Sequence, residues 1–323
     1  MSVNIKFRHN LPPLIYRTAP ISDAGNIYLR NLPKQQKNKG RAILHKNDDQ
    51  DNEDRIKEIF KELEEMIGLN KVKTLIHELH AFVEIQKKRE QENLAIEPLV
   101  LHMIFKGNPG SGKTTVARLI GKLFKEMGVL EKGHVVECER ADLVGEYIGH
   151  TASKTKEMVR KALGGVLFID EAYSLARGGE KDFGKEAIDT LVKAMEDHKD
   201  NLILILAGYR IEMDRFIETN PGLRSRFPIQ INFPDYTIDE LLAIGEWMLK
   251  KREYILTPES KAAFRKILER TVVQHPYSGN ARMVRNIIEK AIRKQAVRLY
   301  KQANPSREDL IFILETDLEG GDN

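Results

Sequence analysis

Hydrophobic positions along the chain follow two alternating rhythms. From Asp54, the residues Ile56, Ile59, Phe60, Leu63 and Ile67 recur every three or four positions, which predicts an amphipathic helix with Gly68 as its stop. A second helix follows, with Val72, Leu75, Ile76, Leu79 and Val83 on one face. Short apolar runs then alternate with helical stripes. Strands are predicted at Leu101–Lys106, His134–Glu139, Gly165–Ile169, Leu202–Ala207 and Ile229–Phe233. Helices are predicted at Thr114–Met127, Thr151–Leu163 and Phe183–Met195. Strands apolar on both sides, separated by amphipathic helices, imply a parallel sheet covered on both faces, a three-layer α/β core. Beyond Pro234 only helical stripes remain, built on Leu241–Leu249, Ser260–Leu268 and Met283–Leu299. They predict a smaller all-helical domain, with Pro234-Asp235 as the hinge. The expected organisation is therefore 1–50, a leading segment; 51–234, an α/β core with leading helices; and 235–323, a helical lid.

Charge changes the picture only at the start. Residues 1–50 hold nine Lys or Arg against three Asp, so this segment carries +6, and the remainder sums to −2 within a net +4. With Pro12, Pro13, Pro20 and Pro33 and the polar stretch KQQKNKGR, this segment is expected to be poorly ordered, IYLRNL being a candidate short strand. A basic tail can touch nucleic acid or anionic lipid. It has no repeated aromatic–basic pattern, so a solvated leader is the preferred reading. One cysteine, Cys138, allows no internal disulfide, and the sequence has neither a signal-peptide pattern nor a membrane-spanning run. A cytoplasmic protein is expected.

The chemistry begins at Gly107-Asn108-Pro109-Gly110-Ser111-Gly112-Lys113-Thr114, which fits GxxxxGK[ST] between a predicted strand and a predicted helix. Glycines let successive backbone N–H groups face an anion, and the helix N-terminus adds a favourable dipole. Lys113 can reach the β and γ phosphates of a nucleotide, and the Thr114 hydroxyl can coordinate Mg²⁺, with Thr115 next to it. The second element is Val166-Leu167-Phe168-Ile169-Asp170-Glu171, an apolar strand with acids at its carboxyl end. Asp170 suits Mg²⁺ and Glu171 suits alignment or deprotonation of an attacking water. ATP and Mg²⁺ are the expected ligands, and hydrolysis the expected reaction.

Several further stretches carry a resemblance: RADLVGEYIGHTASKT, LFIDEAYSLARGGEKDFGKEAIDTLVKAMED, LILAGY, NPGLRSRFP, INFPDYT and GNARMVRNIIEKA. With the phosphate-loop segment they resemble the AAA+ ATPases, in the branch containing red-type rubisco activase and stage V sporulation protein K. The stretch ARGGEKDFGKEAIDTL is more similar to the sporulation side of that branch. The resemblance implies further roles. Tyr147-Ile148-Gly149 stands at the pore loop that grips a threaded chain. Arg226, with Arg224 as the alternative, stands at the arginine finger that reaches a neighbour's γ-phosphate. Arg282, in Gly279-Asn280-Ala281-Arg282, stands at the sensor in the lid, with Arg285 as the near alternative. The turn at Ile67-Gly68-Leu69 resembles the segment lying against the base. After the LILILA strand comes Ala207-Gly208-Tyr209 rather than the Asn common in AAA+ proteins, as elsewhere in this branch. Tyr209 either orients water through its hydroxyl or packs.

A neighbour-donated arginine implies a homo-oligomeric ring, expected to be a hexamer, acting on a protein substrate whose identity the residues do not name. A sporulation role is the expectation, with a rubisco-activase-like remodeller or a nucleic-acid-associated ATPase as alternatives. The pore aromatic argues against nucleic acid. A GTPase is disfavoured because the Asn-Lys pairs read NKGR and NKVK rather than NKxD. His77 and His80 share a helix face without HExxH, so a packed or solvated face is preferred over a metal site.

Overall fold

The computed structural model of the 323-residue chain describes residues 41–96, 100–147, 149–177, 182–218, 220–274 and 279–318, with side chains from residue 52 onward except that of Pro221. The leading segment up to residue 40, with its candidate strand, lies outside the described residues. The chain divides into two units, Met1–Lys46 and Asn47–Asn323, and the second carries the architecture below.

Helix α1 spans Arg41–Glu64 and α2 spans Asn70–Gln91. The first therefore begins well before the predicted Asp54. Residues 46–53 (KNDDQDNE) offer no apolar stripe, so periodicity is blind to the helix there. Strand β1 (Met103–Gly107) leads to α3 (Lys113–Glu126), then β2 (Val135–Cys138), the short α4 (Arg140–Leu143) and α5 (His150–Ala162). Strand β3 (Gly165–Ile169) is followed by a 3₁₀ turn at Ala172–Ala176 and by α6 (Gly184–Asp197). Strand β4 (Leu202–Gly208) precedes α7 (Arg210–Glu218) and α8 (Pro221–Arg226), and β5 (Ile229–Phe233) ends this layer. Strand β1 starts two residues later than predicted because its pairing begins at Met103, opposite Ile205 on one side and Ile229 on the other.

The five strands form one parallel sheet in the order β2-β3-β4-β1-β5. Successive strand residues face opposite sides. Met103, Phe105, Phe168, Ile205 and Phe233 meet Val72, Ile76, Ile120 and Phe124 of α2 and α3. Ile104, Leu167, Leu204 and Leu206 meet Val159, Ile188, Leu191, Met213 and Phe216 of α5, α6 and α7. A charged residue reaches into this core. Lys106 of β1 is 8% exposed, and its ammonium donates to Asp214 of α7 and, at 2.7 Å, to Gln230 Oε1 of β5.

The C-terminal layer is the predicted helical domain, comprising α9 (Ile238–Lys250), β6 (Ile255–Leu256), α10 (Pro258–Gln274), α11 (Asn280–Tyr300), α12 (Arg307–Ile311), β7 (Phe312–Ile313) and α13 (Glu315–Leu318). Its helices share a core of Leu241, Leu249, Phe264, Leu268, Val284 and Ile288. To the predicted helices the structure adds a two-residue parallel ladder, with Ile255 opposite Phe312 and Leu256 opposite Ile313. Runs of two residues are too short to register as strand periodicity. A capping box fixes the start of α9. Thr237 Oγ1 accepts from the Glu240 N–H at 3.2 Å, and the Thr237 N–H donates to Glu240 Oε2 at 2.8 Å.

Candidate active site

The loop between β1 and α3 is built by backbone conformation. Gly110 (φ 71°) and Gly112 (φ 99°) lie in the left-handed region, which L side chains disfavour, and their curl closes the loop. Ser111 Oγ donates to the Asn108 carbonyl at 2.8 Å, and the Val116 N–H donates to the Gly112 carbonyl at 3.0 Å as α3 begins. Lys113 lies in the first turn of α3 and bends back, donating to the carbonyls of Gly107 (2.8 Å) and Asn108 (2.9 Å). Burial lowers its pKa, and the nearby Arg282 guanidinium acts in the same direction. Asp170 is the strongest of the charges opposing that shift, ahead of Asp235 and Glu171. Thr114 is half-buried and Thr115 exposed on the same turn.

Asp170 and Glu171 emerge at the carboxyl end of β3, two strands from β1 across β4. The Asp170 N–H donates to the Cys138 carbonyl at 3.0 Å, prolonging the β2–β3 pairing, and its Oδ1 accepts from the Glu171 N–H at 2.9 Å. Glu171 has φ 46°, a left-handed conformation that costs a non-glycine residue about 1–3 kcal/mol and is concentrated at functional sites. It turns the chain out of β3 and leaves the Glu171 side chain exposed. Tyr173 follows in the 3₁₀ turn. Its ring lies 6.1 Å from that of Tyr209, which directly precedes α7, and carries Arg177 4.6 Å from its centroid. Tyr209 thus packs among the core residues of this face.

Asp235, Tyr236 and the start of α11 meet the same loop. Asn108 Nδ2 donates to both oxygens of Asp235, at 3.0 and 2.8 Å. The Tyr236 hydroxyl donates to the Ser111 carbonyl at 3.3 Å, and burial pushes this phenol up to about 12. The Ala281 N–H donates to the Gly110 carbonyl at 3.2 Å. Arg282 is exposed in the first turn of α11. Gly68 (φ 67°) faces Glu240 and Tyr236, and the neighbouring Leu69 reaches to Gly112, so this turn also borders the loop. Asp235, Tyr236 and Asn280 are site residues that single-residue reasoning missed, because their only signal in the sequence was the company they keep in the stretches INFPDYT and GNAR.

The remaining predicted residues lie elsewhere. Arg226 ends α8, donates to the Gly222 carbonyl at 3.0 Å and is paired with Glu196 of α6. Arg224 on the same helix is exposed. Tyr147 is 67% exposed, with its ring edge-on to His150 at 5.6 Å, and Gly149 (φ 82°) caps α5. Ile148 lies outside the described residues. His77 stacks on Phe60 at 4.5 Å and meets Glu64 Oε1 at 3.1 Å, while Phe60 also lies edge-on to His80.

A phosphate-binding loop between a central strand and a helix, an acid pair two strands away and a helical lid against the loop together define a P-loop nucleoside triphosphatase with a lid. The profile of the AAA ATPases, the "ATPase family associated with various cellular activities", matches residues 103–235, and that of the AAA lid domain matches residues 237–323. Stage V sporulation protein K of Bacillus subtilis is 56% identical over 266 residues, covering 81% of this chain and 82% of that protein. The chloroplastic ribulose bisphosphate carboxylase/oxygenase activase of Cyanidioschyzon merolae is 45% identical, covering 81% and 91%. Protein CbbX of Cereibacter sphaeroides is 48% identical, covering 76% and 79%. The chain belongs to the AAA+ ATPase family. Among solved structures, the FIGL-1 AAA domain with ADP superposes with a TM-score of 0.53 at 16% identity, covering 79% of this chain and 80% of that one. A RuvB variant of Thermotoga maritima gives 0.51 at 21% identity, covering 77% and 70%. These last two likenesses concern the fold alone.

Proposed function

We propose that the chain is an ATP-driven motor that works as a homo-oligomeric ring, a hexamer, and remodels or threads a protein substrate in a sporulation-associated process. The observation that carries the chemistry is that Lys113 and the Asp170–Glu171 pair share one end of the sheet, close enough for the carboxylates to act electrostatically on the ammonium.

Lys113 neutralises the β and γ phosphates, and the N–H groups of 107–115, all but that missing at Pro109, cradle them with the start of α3. A hydroxyl at Thr114 and a carboxylate at Asp170 form a hard oxygen donor set that suits Mg²⁺. When bound, the ion supplies charge neutralisation across the phosphates. Glu171 takes the proton from the attacking water as its oxygen bonds to the γ-phosphorus, while the bond from that phosphorus to the β–γ bridging oxygen breaks and ADP leaves with the electron pair. Arg226 of one subunit stabilises the charge developing on the γ-phosphate held by the next, and Arg282 reports the same phosphate to the lid. Gly68 borders the base. Tyr147-Ile148-Gly149 grips the substrate, since an exposed ring packs against a chain of any sequence.

The sporulation assignment is supported by the 56% identity to stage V sporulation protein K. A rubisco-activase-like remodeller is the second reading, favoured by the 45% identity to the activase. Light scattering on Glu171→Gln with and without Mg·ATP tests the proposal. A nucleotide-dependent rise to about six subunits supports a ring whose active site needs its neighbour. A persistent monomer that binds ATP tightly would sink it.

A further inference from the structure

Of the four residues Gly279-Asn280-Ala281-Arg282, the second is the one the structure uses most. Asn280 is only 3% exposed, unusual for an asparagine at a helix start, and takes φ 45°, a left-handed conformation that Asn tolerates better than most residues. Both ends of its amide are used. Oδ1 accepts from the Tyr236 N–H at 3.0 Å, and Nδ2 donates to Asp235 Oδ1 at 2.8 Å and to the Pro109 carbonyl at 3.3 Å. One lid side chain therefore bonds both the phosphate loop and the 235–236 segment. Asp235 extends the network by accepting from Asn108, so the loop is held on two sides. Two residues on, Arg282 is close enough to lower the pKa of Lys113.

We propose that Asn280 is a positioning residue: its amide locks the lid to the phosphate loop and thereby presents Arg282 to the γ-phosphate. The proposal rests on the sensor role given to Arg282 above. It adds that the arginine works only while the amide clamp is closed. The clamp is also directional. An amide donates to Asp235 and Pro109 and accepts from Tyr236, and a carboxylate in its place cannot do both.

The test uses the full chain with Mg·ATP, measuring steady-state turnover and, separately, nucleotide affinity with a fluorescent ADP analogue. Asn280→Gly accommodates the left-handed backbone and removes the side chain with its amide. It should lower kcat about tenfold to a hundredfold, as misplaced catalytic groups do, with nucleotide affinity changed by less than about threefold. In that background Arg282→Ala should cost less than about twofold more, since groups that act as a unit are not additive. Asn280→Asp should also be slow, through repulsion with Asp235. Adding Asp235→Asn, which reverses the donor and acceptor of that one bond, should recover part of the rate. If Asn280→Gly turns over normally, if Arg282→Ala costs its full factor when combined with Asn280→Gly, or if the reversed pair recovers nothing, the clamp is refuted. If Arg282→Ala in the otherwise unchanged chain leaves kcat intact, it is the sensor reading that fails.

Discussion

Gly110 is where a single methyl group should separate the lid from the loop. A Cβ at this position would lie 2.1 Å from the Gly279 carbonyl oxygen and 2.9 Å from the Arg282 nitrogen, both backbone atoms with no rotamer to escape into. Restoring an ordinary contact of 3.4 Å requires a displacement of 3.4 − 2.1, or 1.3 Å. The Ala281 N–H bond to the Gly110 carbonyl, already 3.2 Å, would not survive it. Three costs combine in Gly110→Ala: about 1–2 kcal/mol for a left-handed alanine, about 1–3 kcal/mol for overpacking and about 1 kcal/mol for the lost hydrogen bond. Gly128→Ala isolates the first of these, because Gly128 has φ 66° and nothing within 4 Å of its added Cβ. Urea unfolding of the two variants should place Gly110→Ala about 2–4 kcal/mol below Gly128→Ala. Titration with a fluorescent ADP analogue should show weakened binding in the former alone. Equal losses for the two alanines, within about 0.5 kcal/mol, would refute the claim that the lid seats directly on the loop.

Three other perturbations probe different parts of the molecule. Arg226→Ala should keep nucleotide affinity and lose turnover, and mixing it with Lys113→Ala subunits should restore some ATPase activity. Failure of the mixture would count against an arginine acting between subunits. Burial drives the His102 imidazole down to about 4, and its Nδ1 accepts from the Leu204 N–H at 3.1 Å. The unfolded chain takes up that proton first, so the associated stability is complete above pH 6.5 and falls as pH drops toward 4, by about 3 kcal/mol in all. His102→Gln should flatten that part of the pH–stability curve, and a curve unchanged from the parent would contradict the burial argument. Burial, aided by Asp142 and Glu139, pushes the Cys138 thiol up to about 12. At pH 8 only about one molecule in ten thousand carries a thiolate, so maleimide labelling should be slow and should track unfolding. Labelling at the rate of a free thiol would show that the β2 edge opens on its own.

The core strands were legible because Val166–Ile169 and Leu202–Ala207 are apolar without interruption, and α3, α5 and α6 because their stripes are long. The leading turns of α1 and the ladder of Ile255 and Leu256 with Phe312 and Ile313 were not, the first for want of an apolar stripe and the second for want of length. The phosphate loop and the acid pair could be read because each is contiguous. The Asn108–Asp235–Asn280 network could not, since its members are separated by 127 and 45 residues and each is an ordinary polar residue in a turn. Only the fold brings them together. Arg226, expected at a neighbour's phosphate, pairs within its own subunit with Glu196 of α6.

The buried ammonium of Lys106 acts as a register mark for the sheet. In β5, Gln230 faces it, and side chains alternate sides along a strand, so a slip of one residue would turn Gln230 to the opposite face and leave Lys106 with Asp214 alone. Apolar strands tolerate such slips better than a strand carrying one polar partner, and fixing register is the best-attested use of a buried charge. Strand β5 runs directly into Pro234 and Asp235, so the register set at Gln230 fixes where Asp235 leaves the sheet. A buried charge on β1 thus helps decide whether the Asp235 carboxylate comes within reach of Asn108.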